Sequence, residues 1–288
     1  MPWRNKVPDE DCAVAHALGV VGDGWSVLIV RDLARGIDRF DALVDSLSIS
    51  RKVLTERLRD LEEQGVLVRE PYQHGPTRHR YRLSAKGRAL LPVVIALQDW
   101  GDRWVLGDGS LTATAEPDAT EAHRVHSLAG QHVPDLELPS TTRADLVSDR
   151  PTVLFGFPAA TVIPGSLPEG WGQIPGAAGC TLENRLFHQR RNDFAEAGVA
   201  VHGVSTQRPD EQRAFATAEA ITHPLFSDAG LDLTAALRLP TFRAADTERL
   251  KRVVLIVDPR RVIRSVRYPV TDIPATIDWA LETARRAS

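Results

Sequence analysis

Cysteine is scarce: the 288 residues hold two, Cys12 and Cys180. That number excludes a disulfide-dense scaffold and a four-cysteine zinc site, so each thiol has to be read singly. Long apolar runs are missing too. A membrane-crossing helix needs roughly 20 consecutive apolar residues, and no such run occurs. The opening MPWRNKVPDEDC carries charge where a secretory signal would place its apolar core. A cytoplasmic chain with no membrane partner is expected. Neither common phosphate-cradling glycine pattern is present, nor an internal repeat or a low-complexity tract. His123 and His126 have helical i, i+3 spacing but no further ligand nearby. Solvated side chains are expected there, with no metal and no cofactor.

What the chain does contain is enough for two domains of roughly 100–200 residues. Hydrophobic residues make up 43% and charged residues 25%, which argues for packed cores and against disorder. The net charge of -3 hides an asymmetry, because ten Lys and Arg stand against five Asp and Glu between Ser48 and Arg88. A basic island in an acidic chain is either a phosphate-contacting surface or a solvated face.

Apolar residues at helical spacing predict helices over Asp11–Val21, Trp25–Ala34, Asp38–Leu47 and from Ser50 to Gly65. Ser50 is a good N-cap, and Val53, Leu54, Leu58 and Leu61 form the buried stripe behind it. Two alternating stretches, Val66–Glu70 and Arg80–Leu83, flank the turn-rich Gln73-His74-Gly75-Pro76-Thr77. Ser84 then caps a predicted helix from about Ala85 to Trp104. Helices, a two-stranded hairpin and a closing helix describe a winged helix-turn-helix. Residues 107–129 have little apolar periodicity and read as a linker. Beyond them strands and helices alternate: strands at Thr152–Phe157, Val199–Ser205, Leu250–Val257 and Val262–Tyr268, and helices at Leu182–Ala197, Pro209–Glu219 and Ile273–Arg286. The expectation is an α+β two-domain chain, with the winged helix-turn-helix in 1–106 and a thioredoxin-like α/β domain in 130–288.

In a helix-turn-helix the second helix enters the major groove. Subtracting the buried stripe leaves Ser50, Arg51, Lys52, Thr55, Glu56 and Arg59 facing outward as base or phosphate contacts. His74, Arg78, His79 and Arg80 lie on or beside the wing. Gly24-Trp25-Ser26-Val27-Leu28, Arg39-Phe40-Asp41-Ala42-Leu43, Ile49-Ser50, Leu54-Thr55-Glu56-Arg57-Leu58, Tyr81-Arg82-Leu83-Ser84 and Gly87-Arg88-Ala89-Leu90 resemble the HxlR-type winged-helix regulators over roughly residues 9–106. That resemblance implies double-stranded DNA as partner and a homodimer paired through terminal helices. Its two recognition helices would lie about 34 Å apart on a pseudo-palindromic operator.

Cys180 immediately precedes a predicted helix, where the helix dipole and unsatisfied N–H groups favour thiolate. Thiolate is the form peroxide oxidises to sulfenic acid, whereas a small buried hydrophobe is the alternative. Val133-Pro134-Asp135, Thr152-Val153-Leu154-Phe155, Gly203-Val204-Ser205-Thr206 and Arg252-Val253-Val254-Leu255-Ile256-Val257-Asp258 resemble peroxiredoxins of the alkyl hydroperoxide reductase and thiol-specific antioxidant class, over roughly residues 128–285. By that resemblance Cys180 is the peroxidatic cysteine, and Arg252 stabilises its thiolate and the departing hydroxide. Two departures stand out. The family places a proline seven residues before its cysteine and a threonine three before, whereas here Pro158 precedes Cys180 by 22 residues and Ala177 takes the threonine's place. A Gly/Pro-rich insertion, Thr161 to Pro175, accounts for the first; Thr161 or Thr181 could replace the missing hydroxyl. Cys12 opens the first helix, where some HxlR-type regulators carry a redox-sensing thiol; beside Asp9, Glu10 and Asp11 it reads equally as a sensor or a packing residue. The sequence thus supports a DNA-binding transcriptional regulator that senses or reduces peroxide through Cys180. It also supports a one-cysteine thiol peroxidase, recycled by a thiol reductant, with an accessory DNA-binding domain, and more weakly a small-molecule-responsive regulator without redox chemistry.

Overall fold

The structure is a computed structural model that describes residues 11–74, 77–162 and 165–286. Asp9 and Glu10, ahead of Cys12, and Gly75 and Pro76 in the wing turn lie outside the described residues. Contacts divide the chain into residues 1–94 and 95–288.

The first unit begins with α1 (Ala13–Val21), α2 (Gly24–Ala34), α3 (Phe40–Leu47) and α4 (Arg51–Glu63). Each start has a local cause. Asp23 caps α2 by accepting from the Ser26 N–H at 3.0 Å, and Ser50 caps α4 by accepting from the Val53 N–H at 3.3 Å. Apolar residues at i, i+3 and i+4 place Ile29, Val30, Leu33, Leu43, Leu47, Leu54, Leu58 and Leu61 in one core. Asp32 is buried within it, held by Arg31, Arg35 and the Ser46 hydroxyl at 2.7 Å. Strands β1 (Leu67–His74) and β2 (Thr77–Leu83) pair antiparallel, with an irregularity between Pro71 and Gln73. Where one helix was predicted over Ala85–Trp104, the structure has α5 (Ala85–Arg88) and α6 (Leu91–Trp104). Pro92 is the reason, because it has no N–H to donate to the Arg88 carbonyl.

The second unit is built on a five-stranded sheet. Its elements after α6 are α7 (Thr120–His126), β3 (Thr152–Gly156), α8 (Cys180–Gln189), α9 (Arg191–Glu196), β4 (Ala200–Ser205), α10 (Pro209–Ala218), β5 (Leu225–Ser227), α11 (Asp232–Leu237), β6 (Thr241–Ala244), β7 (Thr247–Leu250), β8 (Val253–Val257), β9 (Ile263–Arg267) and α12 (Ile273–Arg286). The strand order is β5-β4-β3-β8-β9, with β3, β4 and β5 parallel and β8 and β9 antiparallel to their neighbours. This is the thioredoxin-like layer. Every residue of β3 and β8 is buried because both faces are covered. Val153, Phe155, Val254 and Ile256 pack on one side with Phe187, Phe194, Ile277 and Leu281; Leu154, Leu255 and Val257 pack on the other with Val125, Leu233 and Leu237.

Three expectations need correction here. The segment 107–129, read as a linker, contains α7, whose Glu121, Ala122 and Val125 are buried. Its few buried residues span about one turn, too short to make a helical repeat. The strand expected over Leu250–Val257 is split: Leu250 closes the β6–β7 hairpin, and Lys251 and Arg252 form the corner before β8. The helix expected over Leu182–Ala197 starts at Cys180 and breaks at Arg190, whose guanidinium pairs with Asp193 and, at 2.6 Å, with Asp278. Among the described residues no single helix is long and apolar enough to cross a membrane.

Candidate functional site

Cys180 is the first residue of α8, and Gly179 before it has φ +105. Only glycine takes that backbone easily, and a Cβ there would lie 2.9 Å from the Ile273 side chain. The turn drives the thiol inward, leaving Cys180 3% exposed. Arg252 reaches it from the corner before β8: its Nη2 lies 3.3 Å from Sγ and 3.2 Å from the Ala178 carbonyl, its Nη1 donates to the Gly176 carbonyl at 2.7 Å, and its Nε donates to Glu183 at 2.8 Å. Glu183 is itself buried, one turn along α8 from the cysteine. Neither ion of this pair faces water, so removing one strands the other.

Burial pushes the Cys180 thiol up. The Arg252 guanidinium and the Ala159 N–H pull it down, and the Glu183 carboxylate pushes it further up. This reverses the direction expected from a helix N-terminus, because desolvation outweighs the dipole once the thiol is covered. Burial likewise pushes the Glu183 carboxyl up, against the pull of Arg252. The described partners of Sγ are the Ala177 carbonyl at 3.5 Å, Arg252 and the Ala159 N–H. Thr161 is instead paired with Ser166 at 2.8 Å, and Ala177 is fully buried.

The loop leaving β3 brings the Ala159 N–H to the Cys180 thiol despite the separation in sequence. Gln207 clamps it by accepting from the Ala160 N–H at 2.8 Å and donating to the Ala160 carbonyl at 2.9 Å. Asn184 donates to the Cys180 carbonyl at 2.9 Å. Lys251, beside Arg252, is buried against Glu121 at 2.9 Å, and Tyr268 donates to the same carboxylate. None of Glu183, Gln207, Asn184 or Glu121 was singled out from the sequence. Glu183 alone had a local signal, an acid at i+3 from the cysteine.

The residues proposed to face DNA all lie in the first unit. Lys52, Thr55 and Arg78 are exposed, and Glu56 is half-buried. The Ser50 oxygen already accepts at the helix cap, and the Thr55 hydroxyl donates to the Arg51 carbonyl at 2.8 Å. Arg51 pairs with Asp41 at 2.8 Å and lies over the Phe40 ring, Arg59 is 3.6 Å from Glu63, and Arg80 is 3.1 Å from Glu70. Such exposed pairs contribute little, so a phosphate can displace the carboxylate. Cys12 is the half-buried N-cap of α1, its sulfur accepting from the Ala15 N–H at 3.4 Å. Among the described residues no group of His, Cys, Asp or Glu is placed to hold a metal ion.

Comparison with known proteins matches two stretches of the chain to different families. The family described as HxlR-like helix-turn-helix matches residues 20–108, and the AhpC/TSA family matches residues 174–266. An uncharacterized HTH-type transcriptional regulator of Mycobacterium tuberculosis is 36% identical over 120 residues, covering 42% of this chain and 70% of that protein. One from Synechocystis sp. is 39% identical over 95 residues, 33% of this chain and 70% of its own. Among solved structures, peroxidoxin BcpB from Mycobacterium tuberculosis has 30% identity and a TM-score of 0.46, covering 56% of this chain and 97% of that one.

Proposed function

The chain belongs to the HxlR-like helix-turn-helix family and carries an AhpC/TSA unit behind it, and from that premise we propose that it is a DNA-binding transcriptional regulator whose Cys180 reads peroxide. The observation that carries the redox part is the pairing of Cys180 Sγ with Arg252 Nη2 at 3.3 Å, with Glu183 held by Nε of the same guanidinium. The thiolate attacks one peroxide oxygen, the O–O bond breaks, and the leaving oxygen takes a proton to depart as water or alcohol. Cys180 is left as sulfenic acid. Arg252 faces the negative charge throughout. Condensation with a thiol, from an external reductant, another subunit or Cys12, would give a disulfide and release water. A sensor needs one such event, and the burial of Cys180 together with Ala177 in the hydroxyl position favours a single oxidation over rapid turnover.

On the DNA side, Ser50, Arg51, Lys52, Thr55, Glu56 and Arg59 would meet the major groove, with Arg78 and Arg80 on the flanking backbone. A homodimer on a pseudo-palindrome fits the apolar stripe along α6, where Val93, Leu97, Trp100 and Trp104 are exposed at spacings of four, three and four, and fits the exposed Val14 and Leu18 of α1. A cytoplasmic setting would supply both the DNA and the reductant.

The test is binding to the chain's own upstream DNA, reduced and after one equivalent of peroxide, for the wild type and Cys180→Ser. A change of about tenfold or more in affinity, about 1.4 kcal/mol, seen in the wild type and abolished in the variant, is the expected result. Equal binding by both proteins in both states would refute the sensor. Sustained peroxide consumption with a thiol reductant would then assign the second unit as a peroxidase.

A further inference from the structure

The chain just before Cys180 runs along the surface and turns one large side chain inward. Gly170, Gly172 and Gln173 are exposed, whereas Trp171 between them is 8% exposed. Its indole packs in one apolar cluster with Phe242, Ala159 and Ala177, the ring centre 5.9 Å from that of Phe242. The half-buried Arg249 lies over the indole at 5.1 Å. The Ala113 N–H pins the same stretch by donating to the Pro175 carbonyl at 2.8 Å.

Ala159 and Ala177 are also the residues that flank the thiol, through the Ala159 N–H and the Ala177 carbonyl. The cluster that holds the indole therefore reaches the sulfur. Elsewhere Cys180 faces a filled interior: it belongs to the core with Phe157 and Ile277, and the Arg252–Glu183 pair beside it is buried. A close-packed interior admits a solute only as far as its side chains yield, and the displacement needed grows with the solute. When the thiolate attacks a peroxide, an S–O bond forms, the O–O bond breaks, and the second oxygen leaves as water or alcohol. The group carried by an organic hydroperoxide is only two bonds from the attacked oxygen, so it must enter with it. Hydrogen peroxide brings no such group.

We propose that Trp171 sets the class of peroxide that Cys180 reads, admitting hydrogen peroxide and excluding hydroperoxides that carry a bulky group. This rests on Cys180 being the peroxide-reactive thiol.

Oxidation of Cys180 in the full chain by hydrogen peroxide and by cumene hydroperoxide tests it. Aliquots are unfolded in N-ethylmaleimide, and the loss of alkylatable Cys180 is followed by peptide mass spectrometry, which keeps Cys12 separate. N-acetylcysteine, an open thiol, supplies the reference ratio of the two rates. The wild type should favour hydrogen peroxide by about tenfold or more over that reference. Trp171→Ala should bring the preference to within about threefold of the reference, and Trp171→Phe, which keeps a ring against Phe242, should fall between the two. A wild-type preference no greater than the reference, or one that survives both substitutions, would overturn the proposal and leave the sensor standing. No oxidation of Cys180 by either peroxide would overturn both.

Discussion

Replacing Arg252 by methionine separates the buried charges around Cys180. The substitution leaves Glu183, 1% exposed, without the guanidinium that faces it at 2.8 Å, and takes donors from the Gly176 and Ala178 carbonyls. Removing one partner of a buried pair costs about 3–5 kcal/mol. With a urea dependence of about 2–3 kcal/mol per molar, the midpoint of the second unit should fall by about 1–2 M. Glu183→Leu/Arg252→Met removes both charges and should recover most of that loss, ending within about 1–2 kcal/mol of the wild type. The pH dependence has a definite sign. Burial raises the Glu183 pKa, and losing Arg252 raises it further, so the group favours the folded state while protonated and loses that contribution as pH rises through its folded pKa. The deficit of Arg252→Met should therefore be larger at pH 8 than at pH 5. Urea unfolding of the full chain, followed by tryptophan fluorescence and fitted for both units, measures all three quantities. A deficit under about 1 kcal/mol at pH 8, or a double variant no more stable than the single one, would refute the buried-pair reasoning.

Three further outcomes follow from the same geometry. Alkylation of Cys180 by iodoacetamide should be slow at pH 7 and still climbing about tenfold per pH unit near pH 9, because burial raises the thiol pKa; a plateau near pH 6 would show that Arg252 outweighs burial. Gly87→Ala puts a Cβ 2.1 Å from the Val66 carbonyl, so the first unit should lose about 2 kcal/mol and melt about 10 °C lower, while the second unit's transition stays in place. Lys52→Ala should reduce the salt dependence of DNA binding by about one unit of slope with little change in thermal stability, whereas Ser50→Ala should cost about 1 kcal/mol of stability through its lost cap to Val53.

Much of the first unit could be read directly. Its helices are closed by local devices, the Asp23 and Ser50 caps among them, and its core residues recur at helical spacing, so information within a few residues sufficed. Pro92 was visible as well, but the apolar run across it masked the break between α5 and α6. In the second unit the uninterrupted apolar runs of β3 and β8 marked strands buried on both faces, whereas α8 starts at Cys180, two residues before the expected Leu182. The β6–β7 hairpin stayed hidden, since Leu250 ran on without a turn signal into Lys251, Arg252 and the strand beyond.

The sequence by itself determined the first four helices and the hairpin of the first unit, the strands β3 and β4, that the chain has two halves, and that Cys180 stands at a helix N-terminus. The tertiary structure decided what surrounds that cysteine. Arg252 meets Glu183 across 69 residues and Lys251 meets Glu121 across 130, separations over which no periodicity or capping rule operates. The direction of the Cys180 pKa was decided there as well. The helix dipole is a local property and favours thiolate, but desolvation depends on what the fold packs above the thiol, and in this chain the covering wins.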